Sequence, residues 1–461
     1  MRRLLVTCCL VSVTTSMASD WTRFRGPNGS GVSTDSTLPP TTFSETENLQ
    51  WKTQLPGPGL SCPIVIGDRV VLTCWTGYAA GSTESDRQED LKRCLVCLDR
   101  HTGETIWSHE EPAILPEDSF RGMFAENGYA SHTPATDGER VYAFFGKSGV
   151  FAFDLGDGRK LWQQDVGDRL ENRGWGSASS PIVSGTNVIV PAFIEGDALV
   201  AFDGKTGERK WEQKVSGYES NWSTPILVEA NGQTELVLAV PGEVWGLNPD
   251  NGKLRWYCEV PGSDSARASV IAHGDIVIAM AGGRGSSSSV AIRAGGRDAV
   301  TPLWTGRDAS GIGTPVIHNN RLYTVSNKVL TSVNPKTGER IGQVRLTASA
   351  QSGADQPTAT DDRDERSDRG DRSGGRAGFG GQGGGRGGQD YSSPVVVGNH
   401  LYYVSRAGDI FVIELGETPQ QIACNTFASD RGNYSATPAI SNGQLLIRSS
   451  KSLYCVAAGK R

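Results

Sequence analysis

Two patterns of apolar and polar residues alternate along this chain. The first is a Ser or Thr, often followed by proline, then an apolar run, a turn rich in Gly, Asn and Asp, and a second apolar run, as in SCPIVIGDRVVL from Ser61. The second is an apolar run that ends in Asp or Asn, a turn containing Gly, and usually a closing tryptophan, as in VAFDGKTGERKW from Val200. Apolar runs this short, bounded by turn residues, predict β-strands rather than helices.

Both patterns recur through most of the sequence. The first pattern starts at Ser61, His132, Ser179, Ser223, Ala268, Gly313, Ser392 and Ala436. The second pattern spans Val96–Trp107, Phe151–Trp162, Val200–Trp211, Trp245–Trp256 and, without the tryptophan, Thr331–Gly342. A repeat of about 45 residues with four short strands is typical of a propeller blade. The sequence therefore predicts an all-β protein, an eight-bladed β-propeller of four-stranded antiparallel blades, over residues 20–461.

The eighth repeat lacks its last strand. The chain stops at Arg461 soon after the apolar run Leu453–Ala457, whereas the strand around Trp51 precedes the first repeat and has no blade of its own. Because an unpaired strand edge is a liability that propellers avoid, we expect the N-terminal strand to complete the last blade.

The first 19 residues have the features of a signal peptide. Arg2 and Arg3 precede an apolar region from Leu4 to Val13, and small residues follow near Ala18. A lipid anchor at Cys8 or Cys9 is the alternative. No apolar run reaches the roughly 20 residues that span a bilayer, so we expect an exported protein of the periplasm or cell surface.

Charge and insertions narrow the choice of partners. The net charge of −6 argues against nucleic acid as the main partner. Two insertions lengthen the first repeat, at residues 75–93 and 108–130, and a third at 349–389 is rich in Gly, Arg and Asp. This third insert has too few apolar residues to fold and is expected to be disordered. All three belong to the same face of a propeller, where functional loops are expected.

Most of the conspicuous residue types have structural explanations. The Asp or Asn of the second pattern suits a turn, and the closing tryptophans Trp107, Trp162, Trp211 and Trp256 are expected to present a flat face to an adjacent blade. Cys94 and Cys97 lie three residues apart on a strand and so point to opposite faces. They are expected to be core residues, although a disulfide between Cys74 and Cys94 is an alternative. We find no metal-binding spacing, nucleophile motif or phosphate loop, and hence no catalytic residue.

The links that lead into each innermost strand bring polar and aromatic residues to the mouth of the central channel. Their pattern indicates either a polar funnel with aromatic walls, suited to a ligand, or residues that only plug the channel. The candidate ligand-binding residues are Glu126, Tyr129, Arg173, Trp175, Asn221, Trp222, Asp264, Arg267, Arg431 and Tyr434.

The tryptophan motif resembles the docking motif of pyrroloquinoline-quinone (PQQ) enzyme propellers, and the array is similar to the PQQ-like repeat family, which includes BamB-like exported bacterial proteins. The opening WTRFRGPNGSG (Trp21 to Gly31) is similar to the N-terminus of exported members. The resemblance implies the propeller fold. Two features of PQQ dehydrogenases are absent from the predicted mature sequence: adjacent cysteines and a CxxCH haem motif. Glu126, Asn221 and Asp264 are of the types that hold the calcium ion of such enzymes.

The resulting expectation is an exported, monomeric, non-catalytic binding scaffold that uses one propeller face to hold an envelope protein segment or a glycan. No cofactor is expected for such a scaffold. Two alternatives stay open. One is an oxidoreductase of alcohols or sugars that depends on PQQ and Ca²⁺, and the other is a recognition module for cell-surface polysaccharide.

Overall fold

The computed structural model describes residues 20–81, 87–171, 173–215, 217, 220–260, 262–283, 286–308, 310–348 and 389–459, without the side chains of 281–287. The predicted signal peptide (1–19) and almost all of the predicted disordered insert (349–389) lie outside these residues. The described chain forms eight separate sheets, each with four antiparallel strands in meander order, and two of these sheets carry a short fifth strand that pairs in parallel. The predicted eight-bladed all-β propeller is therefore confirmed.

The strands are named A to D from the channel outwards. Blade 1 has strands Ile64–Ile66, Arg69–Thr76, Lys92–Asp99 and Thr105–Pro112, and blade 2 has Ala135–Thr136, Arg140–Phe144, Val150–Asp154 and Lys160–Gln164. Blade 3 has Ile182–Ser184, Asn187–Ala192, Ala198–Asp203 and Arg209–Lys214, and blade 4 has Ile226–Ala230, Gln233–Val240, Glu243–Leu247 and Leu254–Glu259. Outside 281–287, most side chains of strands B and C are buried, because both faces of these strands pack against neighbouring blades.

The second half of the ring follows the same order. Blade 5 has strands Ile271–His273, Ile276–Gly283, Ser286–Arg293 and Trp304–Gly306, and blade 6 has Val316–His318, Arg321–Ser326, Val329–Val333 and Arg340–Arg345. Blade 7 has Val395–Val397, His400–Val404, Ile410–Glu414 and Gln420–Asn425, and blade 8 has Ala439–Ser441, Gln444–Arg448, Ser452–Val456 and Leu49–Gln54. Single helical turns occur at Pro27–Gly29, Gln88–Asp90, Phe124–Asn127 and Gly146–Ser148. Among the described residues, no helix has the length and apolar character that crossing a bilayer requires.

The N-terminal strand closes the ring as predicted. Leu49–Gln54 pairs antiparallel with Ser452–Val456 as strand D of blade 8, and Trp51 lies opposite Cys455. The Trp51 indole then crosses to blade 1, where its Nε1 donates to the carbonyl oxygen of Arg100 at 2.8 Å. The two ends of the chain thus share one blade, and the blade is fastened to the next.

Most closing tryptophans dock on the following blade in this same way. Trp162 donates to the Gly204 carbonyl at 2.9 Å and Trp211 to the Pro249 carbonyl at 3.0 Å. The glycine of the turn lies directly beneath each ring: a Cβ added at Gly207 would lie 2.8 Å from the Trp162 ring. Only glycine therefore fits there, which explains the invariant Gly of the repeat.

Trp256 packs against the adjacent blade as expected, but it does not make the docking hydrogen bond. Trp256 is fully buried in the core between blades 4 and 5, and its Nε1 donates to Glu235 of its own blade at 2.7 Å. It can fold inwards because Gly246 opposite has no side chain. The edge of this blade is covered instead by Asp298–Ala299, which pairs parallel with strand D. In blade 5, Trp304 makes the docking bond, to the Pro335 carbonyl.

The segment before the first blade closes the central channel, a feature that the repeat pattern did not predict. Trp21 pairs with Val65 of blade 1 through two backbone hydrogen bonds. Val32–Ser33 lies parallel to strand A of blade 7. Both ends of the segment meet turns between strands A and B, where Asp20 accepts from the amide of Gly67 and Asp35 from that of Asn442. This channel plug, residues 20–35, therefore enters from the face opposite the insertions.

The described parts of the two insertions of blade 1 lie on one face, as predicted, and they also pack against each other. Gln88 in the first exchanges hydrogen bonds with the backbone of Glu117 in the second. Arg93 forms an ion pair with Glu117, and both side chains are almost fully buried, at 6% and 4% exposure. Trp75 and Tyr129 meet edge to face with ring centroids 5.8 Å apart. The second insertion is therefore a fixed part of the face.

The predicted cysteine placement is confirmed for Cys94 and Cys97. Both are fully buried, and they belong to the cores on opposite sides of blade 1. Cys74 is the direct cross-strand partner of Cys94. All seven described cysteines are free thiols in this structure.

Candidate functional site

A closed ring of eight hydrogen bonds surrounds the channel at the start of the A strands. In each blade, the backbone amide of the residue before the strand A proline, or before Val270 in blade 5, donates to the side chain of the equivalent residue in the next blade. The donor–acceptor distances run from 2.8 to 3.2 Å. The members of this hydroxyl ring are Cys62, Thr133, Ser180, Thr224, Ser269, Thr314, Ser393 and Thr437.

The hydroxyl ring explains why Ser or Thr opens the repeat. Strand A has a free inner edge in most blades, so its first amide needs an acceptor from elsewhere. The next blade supplies one with a short side chain. Cys62 is the single thiol of the ring, and burial raises the pKa of that thiol, so it is held neutral.

Removing one acceptor is expected to destabilise the protein measurably. In Thr224→Val the amide of Ser180 loses its partner while the side-chain volume is kept, so the free energy of unfolding should fall by about 1–3 kcal/mol. Urea unfolding followed by tryptophan fluorescence measures the change. Cys62→Ser is the matched control, since it keeps an acceptor and should leave the stability unchanged or slightly raised. Equal losses in both variants would contradict the role assigned to the ring.

The hydroxyl ring lines a cavity of about 140 Å³ on the inserted face of the propeller. Phe24 of the channel plug also lines this cavity, which is therefore blind. Trp175, Trp222 and Tyr391 supply further aromatic lining, and Arg267 is the charged residue among the lining side chains. The Trp175 and Trp222 rings lie 5.5 Å apart with an angle of 33° between them, and the Arg267 guanidinium lies 5.7 Å from the Trp175 ring. We call this cavity the mouth.

The aromatic side chains of the mouth are held by local hydrogen bonds. The buried carboxylate of Glu171 accepts from the backbone amides of Arg173 and Trp175, at 2.8 and 2.9 Å. The Trp222 Nε1 donates to the carbonyl of Gly176 at 2.7 Å. The link between blades 2 and 3 is thus tied to the next link, and both tryptophans are pre-positioned for contact.

A buried polar pair lies beneath the same link. His132 Nε2 and Ser177 Oγ are 2.7 Å apart. Burial lowers the pKa of His132 to about 3 and raises the pKa of the neighbouring Glu195 to about 7. Burial disfavours the charged form of each group, so the histidine is neutral at pH 7 and the Glu195 carboxyl holds its proton to a higher pH than an exposed one. The His132–Ser177 hydrogen bond therefore fastens the link that carries Trp175 to blade 2.

Glu126 ties the second insertion to the far side of the channel. Its carboxylate accepts from the Tyr391 hydroxyl at 3.0 Å and from Arg406 at 2.9 Å, and its carbonyl accepts from Asn433. Burial and the Glu126 charge raise the pKa of Tyr391 to about 12. Glu126 also borders a wider polar cleft of about 850 Å³ over blades 6 to 8, which Arg431 lines as well.

The structure brings only part of the predicted site together. Trp175, Trp222 and Arg267 meet at the mouth, while Glu126 and Arg431 line the neighbouring cleft. Arg173 and Asp264 are exposed on the same face and do not line the mouth.

Tyr129, Asn221 and Tyr434 do not fit the prediction of ligand contact. Each is at most 2% exposed. The Tyr129 hydroxyl donates to Asp118 and that of Tyr434 to Asp430, and the Asn221 amide bonds to Ala239 and Ser223. Their polar atoms form hydrogen bonds within the links and the adjoining strands.

Sequence reasoning missed Phe24 and the hydroxyl ring. The ring had a signal, because a Ser, Thr or Cys stands at the same place in all eight repeats. Phe24 had none, since the plug lies outside the repeats.

Comparison with known proteins agrees with this architecture. Residues 41–175 and 92–344 match the family model described as outer membrane protein assembly factor BamB. The BamB of Burkholderia pseudomallei (strain K96243) is 24% identical over 199 residues, which is 43% of this chain and 42% of that protein. A polyvinylalcohol dehydrogenase of Sphingopyxis sp. (strain 113P3) is 25% identical over 258 residues, which is 47% of this chain and 36% of the dehydrogenase. The chain therefore matches less than half the length of these two relatives.

A solved structure shares the fold. The crystal structure of BamB from Moraxella catarrhalis superposes with a TM-score of 0.56 at 12% identity, covering 90% of this chain and 98% of that one.

Proposed function

The chain belongs to the family of outer membrane protein assembly factor BamB, and from that premise we propose that it is an exported, non-catalytic scaffold that holds a segment of another envelope protein. The binding surface is the mouth. The observation that carries the proposal is the blind, aromatic-lined cavity on the face that also bears the insertions of blade 1.

The geometry of the mouth suits a peptide segment. Paired tryptophans and an arginine are the side chains most enriched at the centres of protein interfaces. They stand on links that hydrogen bonds fix, so binding needs little ordering of the scaffold. The second insertion of blade 1 borders the mouth at Asn127, which is where a longer segment would continue.

The partner is expected in the envelope. The predicted signal peptide would export the chain, and the relative from Burkholderia pseudomallei is named an outer membrane protein assembly factor.

Co-purification from native envelope tests the proposal. The wild-type chain is expected to retain a defined envelope protein, and the Trp175→Ala/Trp222→Ala variant to lose it, because truncating two central aromatic residues costs about 2 kcal/mol or more each. Lys205→Ala/Lys336→Ala, in exposed turns on the opposite face, is the matched control. Equal retention by all three chains would contradict the proposal, and binding of a defined glycan in place of a protein would favour polysaccharide recognition.

A quinone-dependent oxidoreductase is the second candidate, and the similarity to the polyvinylalcohol dehydrogenase favours it. Calcium takes six to eight oxygen ligands, usually with carboxylates among them. The residues lining the mouth include no Asp or Glu, and in the described part of the chain no group of three His, Cys, Asp or Glu side chains could hold a metal ion. These residues do not fit a calcium-bound quinone.

The quinone candidate has its own test. Adding PQQ and Ca²⁺ to the wild-type chain should raise the melting temperature and give dye-linked oxidation of alcohols if the candidate is right. An unchanged melting temperature would remove it.

A further inference from the structure

We propose that the mouth is a carboxylate receptor, so that the partner segment is anchored by an acidic side chain or by its own C-terminal carboxylate. This inference rests on the proposed function and names the chemistry that the site recognises. Three features of the described residues converge on it: the charge of the lining, the hydrogen-bonding state of the hydroxyl ring, and two buried arginines beside the floor.

The lining carries one positive charge and no negative one. Arg267 is the charged residue of the mouth, and it makes no ion pair with any acidic residue in the described ranges. Its Nε is buried without a hydrogen-bond acceptor in the described chain. The Trp175 ring orients the guanidinium by a cation–π contact, which leaves the two terminal nitrogens, Nη1 and Nη2, for an anion. Guanidinium and carboxylate match in geometry and form two parallel hydrogen bonds.

The hydroxyl ring supplies further donors. Each hydroxyl oxygen already accepts a backbone amide from the preceding blade, as described above. A hydroxyl has one hydrogen to donate in addition to its acceptor sites. The side chains of Thr133 and Thr437 hydrogen-bond to the Cys62 sulfur, and no hydrogen bond in the described part of the chain is donated by the other five hydroxyls of the ring. These five, Ser180, Thr224, Ser269, Thr314 and Ser393, line the mouth, so the ring presents unpaired donors to whatever enters it. A ligand rich in acceptors is therefore favoured over one rich in donors.

Two buried cations flank the floor. Arg23 and Arg25, on either side of Phe24, are 6% and 0% exposed. They donate to the carbonyls of Pro225 and Pro394, which directly follow members of the hydroxyl ring. Neither meets an acidic partner among the described residues.

Both arginines keep their charge at neutral pH. Burial lowers the pKa of each guanidinium to about 9, which leaves it mainly protonated at pH 7. Charges in a low-dielectric interior act over longer distances than charges in water. The plug therefore adds positive potential beside the floor of the mouth.

The volume of the mouth is large enough for one side chain of the bound segment and too small for two. An engineered apolar cavity of roughly 150 Å³ accepts benzene, and the mouth is of about 140 Å³. An acidic residue next to an aromatic one would place its carboxylate on Arg267 and its ring against the tryptophans.

A pair of matched small probes tests the chemistry. Phenylacetate and phenylacetamide have nearly the same shape and differ in charge. The wild-type chain should bind phenylacetate about tenfold or more tightly than phenylacetamide, since a hydrogen bond to a charged acceptor is stronger than one to a neutral acceptor. Isothermal titration gives both constants, and quenching of the mouth tryptophans locates the binding.

Variants decide whether Arg267 carries the preference. Arg267→Gln should reduce the phenylacetate preference to about twofold or less, while Arg173→Gln, which removes an exposed cation outside the mouth, should leave it unchanged. Equal binding of the two probes, or binding of neither, would overturn the inference. An undiminished preference in Arg267→Gln would also overturn it.

Three peptides then identify the source of the carboxylate. They are a hexapeptide ending in a free phenylalanine carboxylate, the same peptide with its C-terminus amidated, and the amidated peptide with aspartate before the phenylalanine. Binding of only the first points to a C-terminus, and binding of the third points to a side chain. Failure of all three would overturn the inference.

The two proposals fail separately. If an envelope protein is retained through Trp175 and Trp222 while phenylacetate shows no preference, the scaffold function stands and the carboxylate receptor falls. If phenylacetate is preferred through Arg267 while no envelope protein is retained, the mouth recognises carboxylates, but the scaffold function falls.

Discussion

Replacing Trp51 by alanine is expected to lower the free energy of unfolding by about 3–5 kcal/mol, the usual loss for a buried Trp. Trp51 is 8% exposed and joins three parts of the structure: the N-terminal strand, the last blade and the turn of blade 1. Its removal weakens the contact that holds the two chain ends in one blade. Urea unfolding at 25 °C, followed by circular dichroism, measures the change.

The matched control is Ile422→Ala. Ile422 also lies on an outermost strand, in blade 7, but it is 43% exposed. We expect this variant to lose less than about 1 kcal/mol, since surface substitutions usually have small effects. Similar losses for the two variants would mean that the closing strand does not hold the ring together.

Arg93→Met is expected to cost a similar amount for a different reason. The substitution removes the counterion of Glu117 and leaves that carboxylate buried in an apolar environment, which costs about 3–5 kcal/mol when one partner of a buried pair is deleted. The insertion around Glu117 also carries Tyr129, whose carbonyl accepts from Arg93. The second insertion should therefore become sensitive to limited proteolysis, in addition to the loss of stability in urea.

Two further variants separate the ion pair from simple packing. Arg93→Met/Glu117→Leu removes both charges, so it should recover most of the stability that Arg93→Met loses. Lys92→Met breaks the adjacent exposed pair with Glu110 and should have no measurable effect. If the double variant is less stable than Arg93→Met, the buried charges are not the cause of the loss.

The sequence predicted the features that recur in every blade, but few of the features that occur only once. Alternating strands and turn residues reveal the blades because each blade must bury the same two faces, and the isolated strand at Trp51 had no other place in the ring. Trp256 broke the pattern for a local reason: Gly246 stands opposite it in the strand C position that alanine or cysteine occupies elsewhere. The size of this one cross-strand neighbour decides whether the indole lies over its own strand C or docks on the turn of the next blade.

The site was predictable only where it uses the links. Trp175, Trp222 and Arg267 were found because they stand just before strand A, where side chains can reach the channel. Tyr129 and Tyr434 also stand just before strand A, but their side chains are buried in the protein. Their orientation depends on the backbone carbonyls that accept from their hydroxyls, and the sequence pattern does not reveal those partners. Phe24 could not be found, because the docking of the channel plug is set by unpaired groups on inner strand edges far away in sequence.

Site-specific photo-crosslinking in cells gives the most direct test of the central claim, that the mouth side of the propeller is the binding face. A photoreactive residue at Arg173 stands on the exposed rim beside Trp175, whereas one at Lys205 stands on the opposite face. We predict a discrete cross-link to an envelope protein from position 173, lost in the Trp175→Ala/Trp222→Ala background, and none from position 205. Cross-links from position 205 alone would contradict it.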